Sequence, residues 1–312
     1  MRIVILVSTR FQNVTDIMSL FLDFILFWRT RHSANVDFST FMDKYPLFKH
    51  PASSGFITNF VCPKLWEKID SPIIKSMLAC SGVYYTIGCH PHFAHEMIGC
   101  QKLVMKRLID SKIRHCIAIG ECGLDTSKKN NCRMFDQIEV FKFQIRLALD
   151  YKKPLVLHIR GAEREALHVL QMLPHDWPIH RYFLNRSIIS LQITTCFRHC
   201  WNDNWEVCQQ WIDRFPNSVI GFTNLITYPN NWHLKNVVEK IPLTRIVIET
   251  DAPYFSPGGG GPDGMLGHNE RQFSLPIHAA NIAGQIAAIK KCKIKTVLTA
   301  SQENVKRIYG TY

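Results

Sequence analysis

From about residue 80 to the C-terminus, short β-rich apolar runs alternate with longer amphipathic stretches, and that alternation leaves few architectures open. Strand-like runs lie at 83–88, 115–119, 155–157, 191–197, 218–222 and 245–249. Helix-like stretches lie between and after them, at 101–110, 134–151, 162–173, 203–214, 234–240, 277–289 and 295–309. In the longest of these, Phe135, Ile138, Phe141, Ile145 and Leu149 recur at helical spacing and predict one apolar face. Strands separated by helices predict a parallel sheet, because a tight hairpin joins only antiparallel neighbours. About six or seven such units, with no linker among them, predict a single α/β domain of the TIM-type (β/α) barrel class. A doubly wound open sheet is the alternative, but no dinucleotide-binding or Walker-type loop supports it.

Composition narrows the class of partner. The 312 residues are 46% hydrophobic and 20% charged, which suits a sizeable globular core. A formal charge of +12 and a pI near 9.2 favour acidic partners, nucleic acid first. The 11 cysteines are scattered, and most lie in apolar runs, as Cys80, Cys89 and Cys116 do. They read as buried thiols of a reducing compartment. Cys196 and Cys200 have no second cysteine pair, which argues against a zinc knuckle. The apolar run at 3–7 is too short to span a membrane, and the one at 20–28 is broken by Asp23. No convincing cleavage site follows either. The expectation is a soluble, cytoplasmic or nuclear monomer with no membrane partner.

One stretch carries unusual chemistry: Ala118-Ile119-Gly120-Glu121-Cys122-Gly123-Leu124-Asp125. The run at 115–119 delivers a carboxylate framed by two glycines, which predicts a Glu pushed out of the core just past a strand's C-terminal end. In parallel α/β folds that edge is where ligands and metals sit. Taken alone, Glu121 reads equally as a capping or ion-paired residue. Three further runs lead to His158, His199 and Asp251. A lone His after a strand is more often bonded to a carbonyl, and Asp251 before Ala-Pro could close an Asx turn. A barrel, however, gathers successive strand ends on one rim. Two imidazoles and two carboxylates there suit one or two divalent ions: Zn²⁺, Mn²⁺, or Mg²⁺ with more water.

Four motifs in order resemble those of the TatD family of metal-dependent deoxyribonucleases. They are Gly-Cys-His-Pro-His (88–92), Gly-Glu-Cys-Gly-Leu-Asp (120–125), Lys-Pro-Leu-Val-Leu-His (153–158) and Glu-Thr-Asp-Ala-Pro-Tyr (249–254). Asn304, Arg307 and Tyr309 resemble that family's closing helix. The resemblance covers 22–312 and leaves 1–21 as an atypical N-terminal segment. It implies a TIM-type barrel carrying two divalent ions at its C-terminal rim. Glu121 would bridge the ions, and His158 and His199 would hold one of them. Asp251 would hold the other and take a proton from the attacking water, so catalysis would rest on Glu121 and Asp251. His90 and His92 would contact the substrate phosphate, or else form a turn held by Pro91.

The resemblance breaks in two places. The family opens with Asp-x-His-x-His-Leu-Asp on its first strand, and both histidines are ligands. Here Leu22-Asp23 align with the last two positions of that motif, and Ser19 and Phe21 stand where the histidines belong. The first strand is therefore expected to be replaced or incomplete. Residues 182–198 read as an insertion ahead of His199-Cys200-Trp201, with His180 as the alternative to His199. An alternative first exon and a retained intron-like segment would produce both departures.

Two classes of function follow. The later motifs imply a nuclease that hydrolyses phosphodiester bonds in DNA, with RNA as a second substrate. The missing His-x-His implies an impaired barrel that binds nucleic acid or a partner without turnover. A barrel hydrolase for small amides or esters is a third reading, which the motif wording opposes. Candidate phosphate contacts are Lys102, Lys106, Arg107, Lys112 and Arg114, or Lys290, Lys291, Lys293 and Lys295, unless these are merely solvated helix faces.

Overall fold

Eight parallel strands follow one another across a single sheet in chain order. They are β1 (Ile3–Thr9), β2 (Ser53–Phe60), β3 (Val83–Ile87), β4 (Cys116–Asp125), β5 (Leu155–Arg160), β6 (Cys196–Arg198), β7 (Val219–Phe222) and β8 (Ile246–Ile248). The structure is a computed structural model, and it describes residues 3–9, 53–66, 83–110, 116–171, 196–251, 255 and 278–310. Its α-helices are α1 (Pro63–Trp66), α2 (Gly99–Asp110), α3 (Met134–Asp150), α4 (Glu163–Gln171), α5 (Trp205–Arg214), α6 (Trp232–Lys240), α7 (Ala279–Ile289) and α8 (Ile294–Tyr309). Sequential parallel strands with intervening helices are the order of the TIM-type barrel expected from the sequence.

Period-two alternation divides β2, β5, β7 and β8 between two cores. Tyr85, Ile87, Leu155, Leu157, Ile220, Phe222, Ile246 and Ile248 face the helices, where they pack with Phe141, Ile145, Ala166, Trp211, Val237 and Ile282. Ile57, Val156, Phe197, Val219 and Val247 face the other way and form a smaller inner core. Two residues further along the same inner face stand Asn59, His158, His199, Gly221 and Glu249, in the C-terminal part of their strands or just beyond it. A layer of apolar side chains thus supports a layer of polar ones. Burial on both faces explains why these strands read as near-continuous apolar runs.

The last helix closes the opposite end. Val305, Ile308 and Tyr309 of α8 join the inner core. Asn304 Nδ2 donates to the carbonyls of Leu243 and Ile246, both at 2.8 Å, beside the start of β8. Arg307 donates to the carbonyls of Asn217 and Thr244, just before β7 and β8. The resemblance to a closing helix is therefore matched by contacts that fasten it to the barrel's N-terminal end.

Several expectations need correction. β4 is a buried ten-residue strand, so Glu121 lies within it rather than past its end. The flanking glycines serve close approach between strands, not a turn. Gly120 has φ +146°, and a Cβ there would strike the Val156 carbonyl; a Cβ on Gly88 would sit 2.5–2.7 Å from the Gly120 backbone. β5 likewise continues through His158 to Arg160. Phe135 is 70% exposed, because the face of α3 that is buried runs through Gln137, Val140, Phe141, Gln144 and Ala148, and Phe135 lies well off it around the helix. The first sheet position is not incomplete: Ile3–Thr9 fills it and pairs along its whole length with β2. This strand comes from the segment set apart as 1–21, and the aligned Leu22-Asp23 lie outside the described residues. Of the apparent insertion 182–198, the final three residues form β6; the remainder, and His180, lie outside the described residues.

Gly88→Ala should destabilise the fold by about 1–3 kcal/mol, the range for overpacking a filled interior. Urea denaturation of the two proteins measures this, and equal midpoints would contradict the close approach of β3 and β4.

Candidate metal centre

Glu121 is fully buried and faces the barrel interior at its polar end. Asn59 Nδ2 donates to Glu121 Oε1 at 2.8 Å. The Thr86 hydroxyl lies 2.6 Å from Asn59 Oδ1 and 2.8 Å from the Gly120 carbonyl, so β2 and β3 together orient the carboxylate. Its other oxygen, Oε2, is 3.6 Å from His199 Nε2.

His199 follows β6 and is also buried. Its Nδ1 is 2.6 Å from Glu249 Oε2, and Glu249 Oε1 also accepts the Cys200 amide at 2.5 Å. Room for that carboxylate depends on Gly221, since a Cβ there would collide with Glu249 Oε1. With Nδ1–H donating to Glu249, the lone pair of neutral His199 lies on Nε2, which is 3.3 Å from Asp251 Oδ1. A carboxylate behind an imidazole is the usual second partner of a ligating histidine. Burial works to lower the His199 pKa, but the carboxylates of Glu121, Glu249 and Asp251 overcome it and hold the value well above the ordinary one. Burial raises the Glu249 carboxyl, and the neighbouring His199 opposes the rise.

The second half of the site is built on Asp125, at the end of β4. Asp125 Oδ2 is 3.0 Å from both His158 Nε2 and His92 Nε2, while Oδ1 accepts the Ser127 amide at 2.7 Å. Burial would raise the Asp125 pKa; hydrogen bonds from His158 and His92 reverse this and hold it far below the carboxylate range. With Nε2–H on Asp125, His158 keeps its lone pair on Nδ1.

Two groups of side chains bring donor atoms within 4.8 Å of one another: His90 with Glu121 and His158, and His199 with Cys200 and Asp251. The grouping differs from the expected one, in which His158 and His199 share an ion. His90 also fits poorly as a ligand. Its Nδ1 accepts the His92 amide at 3.2 Å, so the neutral ring carries its proton on Nε2 and presents a donor rather than a lone pair. Glu121, His158, His199 and Asp251 all keep oxygen or nitrogen lone pairs suited to a divalent ion.

Sequence reasoning missed Asn59, Thr86, Asp125 and Glu249 as site residues. The last two lie inside quoted motifs, and Glu249 sits two residues before Asp251. Gln137 and Gln144 were missed as well. These buried residues lie two helical turns apart on α3 and bracket the backbone of Asp125 and of Cys89, at the ends of β4 and β3. Of the basic clusters, Lys102 stacks over Phe143 at 5.3 Å, and Lys290 donates to the carbonyls of Glu239 and Ile241 at the end of α6. Lys112 and Arg114 lie outside the described residues. No helix among the described residues is long and apolar enough to cross a membrane.

The fold is a parallel (β/α) barrel with two groups of candidate metal ligands at one rim, and a family model described as TatD related DNase matches residues 33–310. The chain belongs to the TatD family. It is 33% identical over 264 residues to the human 3'-5' RNA nuclease TATDN2; the match covers 82% of this chain but only 30% of that protein. It is 26% identical over 226 residues to the 3'-5' ssDNA/RNA exonuclease TatD of Citrobacter koseri, covering 72% of this chain and 77% of that one. YabD of Bacillus subtilis, an uncharacterized metal-dependent hydrolase, is 27% identical over 228 residues, covering 73% and 77%. A hydrolase TatD family protein from Entamoeba histolytica superposes with a TM-score of 0.74 at 18% identity, covering 99% of each chain, and so shares the fold.

The raised pKa of His199 has a consequence for stability. Its favourable charge is fully present below the unfolded value near 6.5 and is lost as pH rises through the higher folded value. Asp125 contributes with the opposite sign: its share is present above about pH 3.9 and is lost only in strong acid. Metal-free protein should therefore lose stability as the pH is raised above about 6.5, and Glu249→Gln should flatten that slope. Urea midpoints in chelator across this range test it; a stability that climbs with pH would contradict the assignment.

Proposed function

We propose that this chain is a metal-dependent nuclease that hydrolyses phosphodiester bonds in single-stranded nucleic acid, DNA or RNA. The observation that carries the proposal is the placement of His199, backed by Glu249 and aimed at the gap between Glu121 Oε2 and Asp251 Oδ1. Buried carboxylates outnumber the cations that face them, which is the electrostatic signature of a site for divalent ions. The names of the human and Citrobacter relatives point to RNA and single-stranded DNA.

Glu121, His158, His199 and Asp251 are the residues that would hold the ions, with Glu121 between the two halves of the site. Divalent ions there would supply Lewis-acid stabilisation of a phosphodiester's oxygens. Asp251 accepts the proton of the water that attacks phosphorus. Asn59 and Thr86 keep Glu121 pointing inward, and Glu249 keeps His199 in the right tautomer. His90, with its proton on Nε2, donates to a substrate phosphate oxygen, and His92 stands beside it on the more open side of Asp125. Nine cysteines, from Cys62 to Cys292, are free thiols, which fits a cytoplasmic or nuclear location.

One observation favours a second reading, an impaired barrel that binds without turnover. β1 contains no histidine, so it brings no imidazole to the rim where the family resemblance implies two. Labelled single-stranded DNA and RNA, incubated with purified protein and Mg²⁺ or Mn²⁺, separate the readings. Cleavage should be abolished by chelator, restored by metal, and reduced more than about 100-fold in Glu121→Ala, since loss of a ligand costs at least as much as loss of a ligand's partner. Tight oligonucleotide binding without cleavage, unchanged in Glu121→Ala, would establish the impaired barrel instead. Metal uptake offers an independent check. Because an ion must displace the His199 proton, affinity should rise with pH and binding should release protons, which calorimetry in two buffers can count.

A further inference from the structure

Beside the site, the chain between β4 and α3 carries charge without compensation. Residues 126–135 contain Lys128, Lys129 and Arg133 and no Asp or Glu. Arg133 is engaged by Asp136 at 2.8 Å. Lys128 and Lys129 are exposed and meet no carboxylate among the described residues.

The loop holding them is firmly built. The Asn130 amide donates to the Ser127 carbonyl at 2.9 Å, which closes a β-turn with Lys128 and Lys129 at its two corner positions. Asp125 Oδ1 anchors the turn's entry through the Ser127 amide, and Asn130 Nδ2 returns to the Asp125 carbonyl at 2.8 Å. Thr126 ties the loop to the one following β5: its amide donates to the Arg160 carbonyl at 2.9 Å, and its hydroxyl lies 2.9 Å from the Gly161 carbonyl. Arg160, at the end of β5, and Arg164, in the first turn of α4, are exposed as well, with Glu165 exposed beside them. Glu163 between them is occupied by Arg198 at 2.9 Å and by Trp211 Nε1 at 2.8 Å.

An exposed aromatic ring, that of Phe135, follows this ridge six residues on in the chain. Gln137 Nε2 donates to the carbonyls of both Asp125 and Cys132, folding the loop back so that the first turn of α3 begins next to the turn's base. That turn presents Phe135, 70% exposed. A rigid basic ridge followed closely in the chain by an exposed ring is a composition that suits single-stranded nucleic acid: cations track the backbone, and a ring stacks on a base of any identity.

We infer that the Ser127–Asn130 turn and Phe135 form a platform that holds the single strand next to the scissile phosphate, Lys128 and Lys129 on its phosphates and Phe135 against a base. Lys128 is three residues beyond Asp125, at most about 11 Å of chain, so its ammonium group reaches about one or two nucleotides from the site. The inference deepens the nuclease reading and rests on it for the strand's position. It makes binding independent of sequence and dependent on salt, and it separates polymeric substrates from small phosphodiesters.

The test uses the full chain with Mn²⁺, a fluorescein-labelled single-stranded 12-mer of DNA, and bis(p-nitrophenyl) phosphate. Lys128→Ala with Lys129→Ala should raise KM for the 12-mer about tenfold with kcat within about twofold, and leave the small diester unchanged. Anisotropy measured in Ca²⁺ at several salt concentrations should show the slope of log K against log salt reduced by about 1.4, two lysines at about 0.7 each. Phe135→Ala should weaken binding about five- to tenfold at unchanged slope. If the parent chain cuts the 12-mer and the double variant matches it in KM and slope, the platform is wrong and the nuclease reading stands. If the parent chain binds with a lysine-dependent slope but cuts neither substrate, the platform stands and the nuclease reading fails. Absence of both binding and cleavage overturns both.

Discussion

Four carboxylates, those of Glu121, Asp125, Glu249 and Asp251, are buried almost completely at one end of the barrel, and the rest of the structure is arranged around that fact. An ionised carboxylate removed from water costs several kcal/mol unless hydrogen bonds or cations restore what solvation supplied. Asp125 receives two imidazoles and a backbone amide. Glu249 receives His199 and the Cys200 amide. Glu121 has one oxygen on Asn59, and its other faces the same His199 Nε2 as Asp251 does. A single imidazole therefore meets three carboxylates, and its elevated pKa expresses that imbalance. A divalent ion would relieve it more completely than a proton.

Holding these charges together requires stiffness beneath them. The inner apolar layer of Ile57, Val156, Phe197, Val219 and Val247 fixes the strands that carry the polar layer, and α8 seals it from below. On the outer side, Gln137 and Gln144 satisfy backbone groups at the ends of β4 and β3 that would otherwise be buried without partners. Asp125 links the two regions, since it pairs with His158 inside and anchors the Ser127–Asn130 turn outside. A disturbance at that one carboxylate would reach both a candidate ligand and the loop beside it.

Much of this was legible in the sequence because a parallel barrel converts position along a strand into position on a rim. Glu121, His158, His199 and Asp251 could be proposed from residue type and the end of an apolar run alone. Their supports could not. Asn59 follows 53–58, which shows no apolar alternation, and its role depends on lying beside Glu121, 62 residues away. The glycines around Glu121 were read as a local turn, whereas the constraint on Gly120 comes from Val156 and that on Gly88 from Gly120. Phe135 obeys the helical period of its apolar neighbours yet is exposed, because two buried glutamines, Gln137 and Gln144, shift the buried face of α3 round from the apolar stripe, and polar residues give no such signal in a hydrophobic pattern. The run at 3–7 was tested against a membrane's thickness, and its parallel pairing with β2 has no local signal at all.

The composition of the rim also bears on the kind of ion it suits. Zn²⁺ favours four nitrogen or sulfur donors in a closed tetrahedron, while Mg²⁺ and Mn²⁺ accept carboxylates and keep water in the remaining positions. With β1 bringing no imidazole, the Asp251 side of the centre has, among the described residues, the Glu121 and Asp251 carboxylates, one histidine nitrogen and the Cys200 thiol near it. The His158 side has an imidazole backed by Asp125. Two ions would balance the four buried carboxylates in formal charge, which a single ion would not.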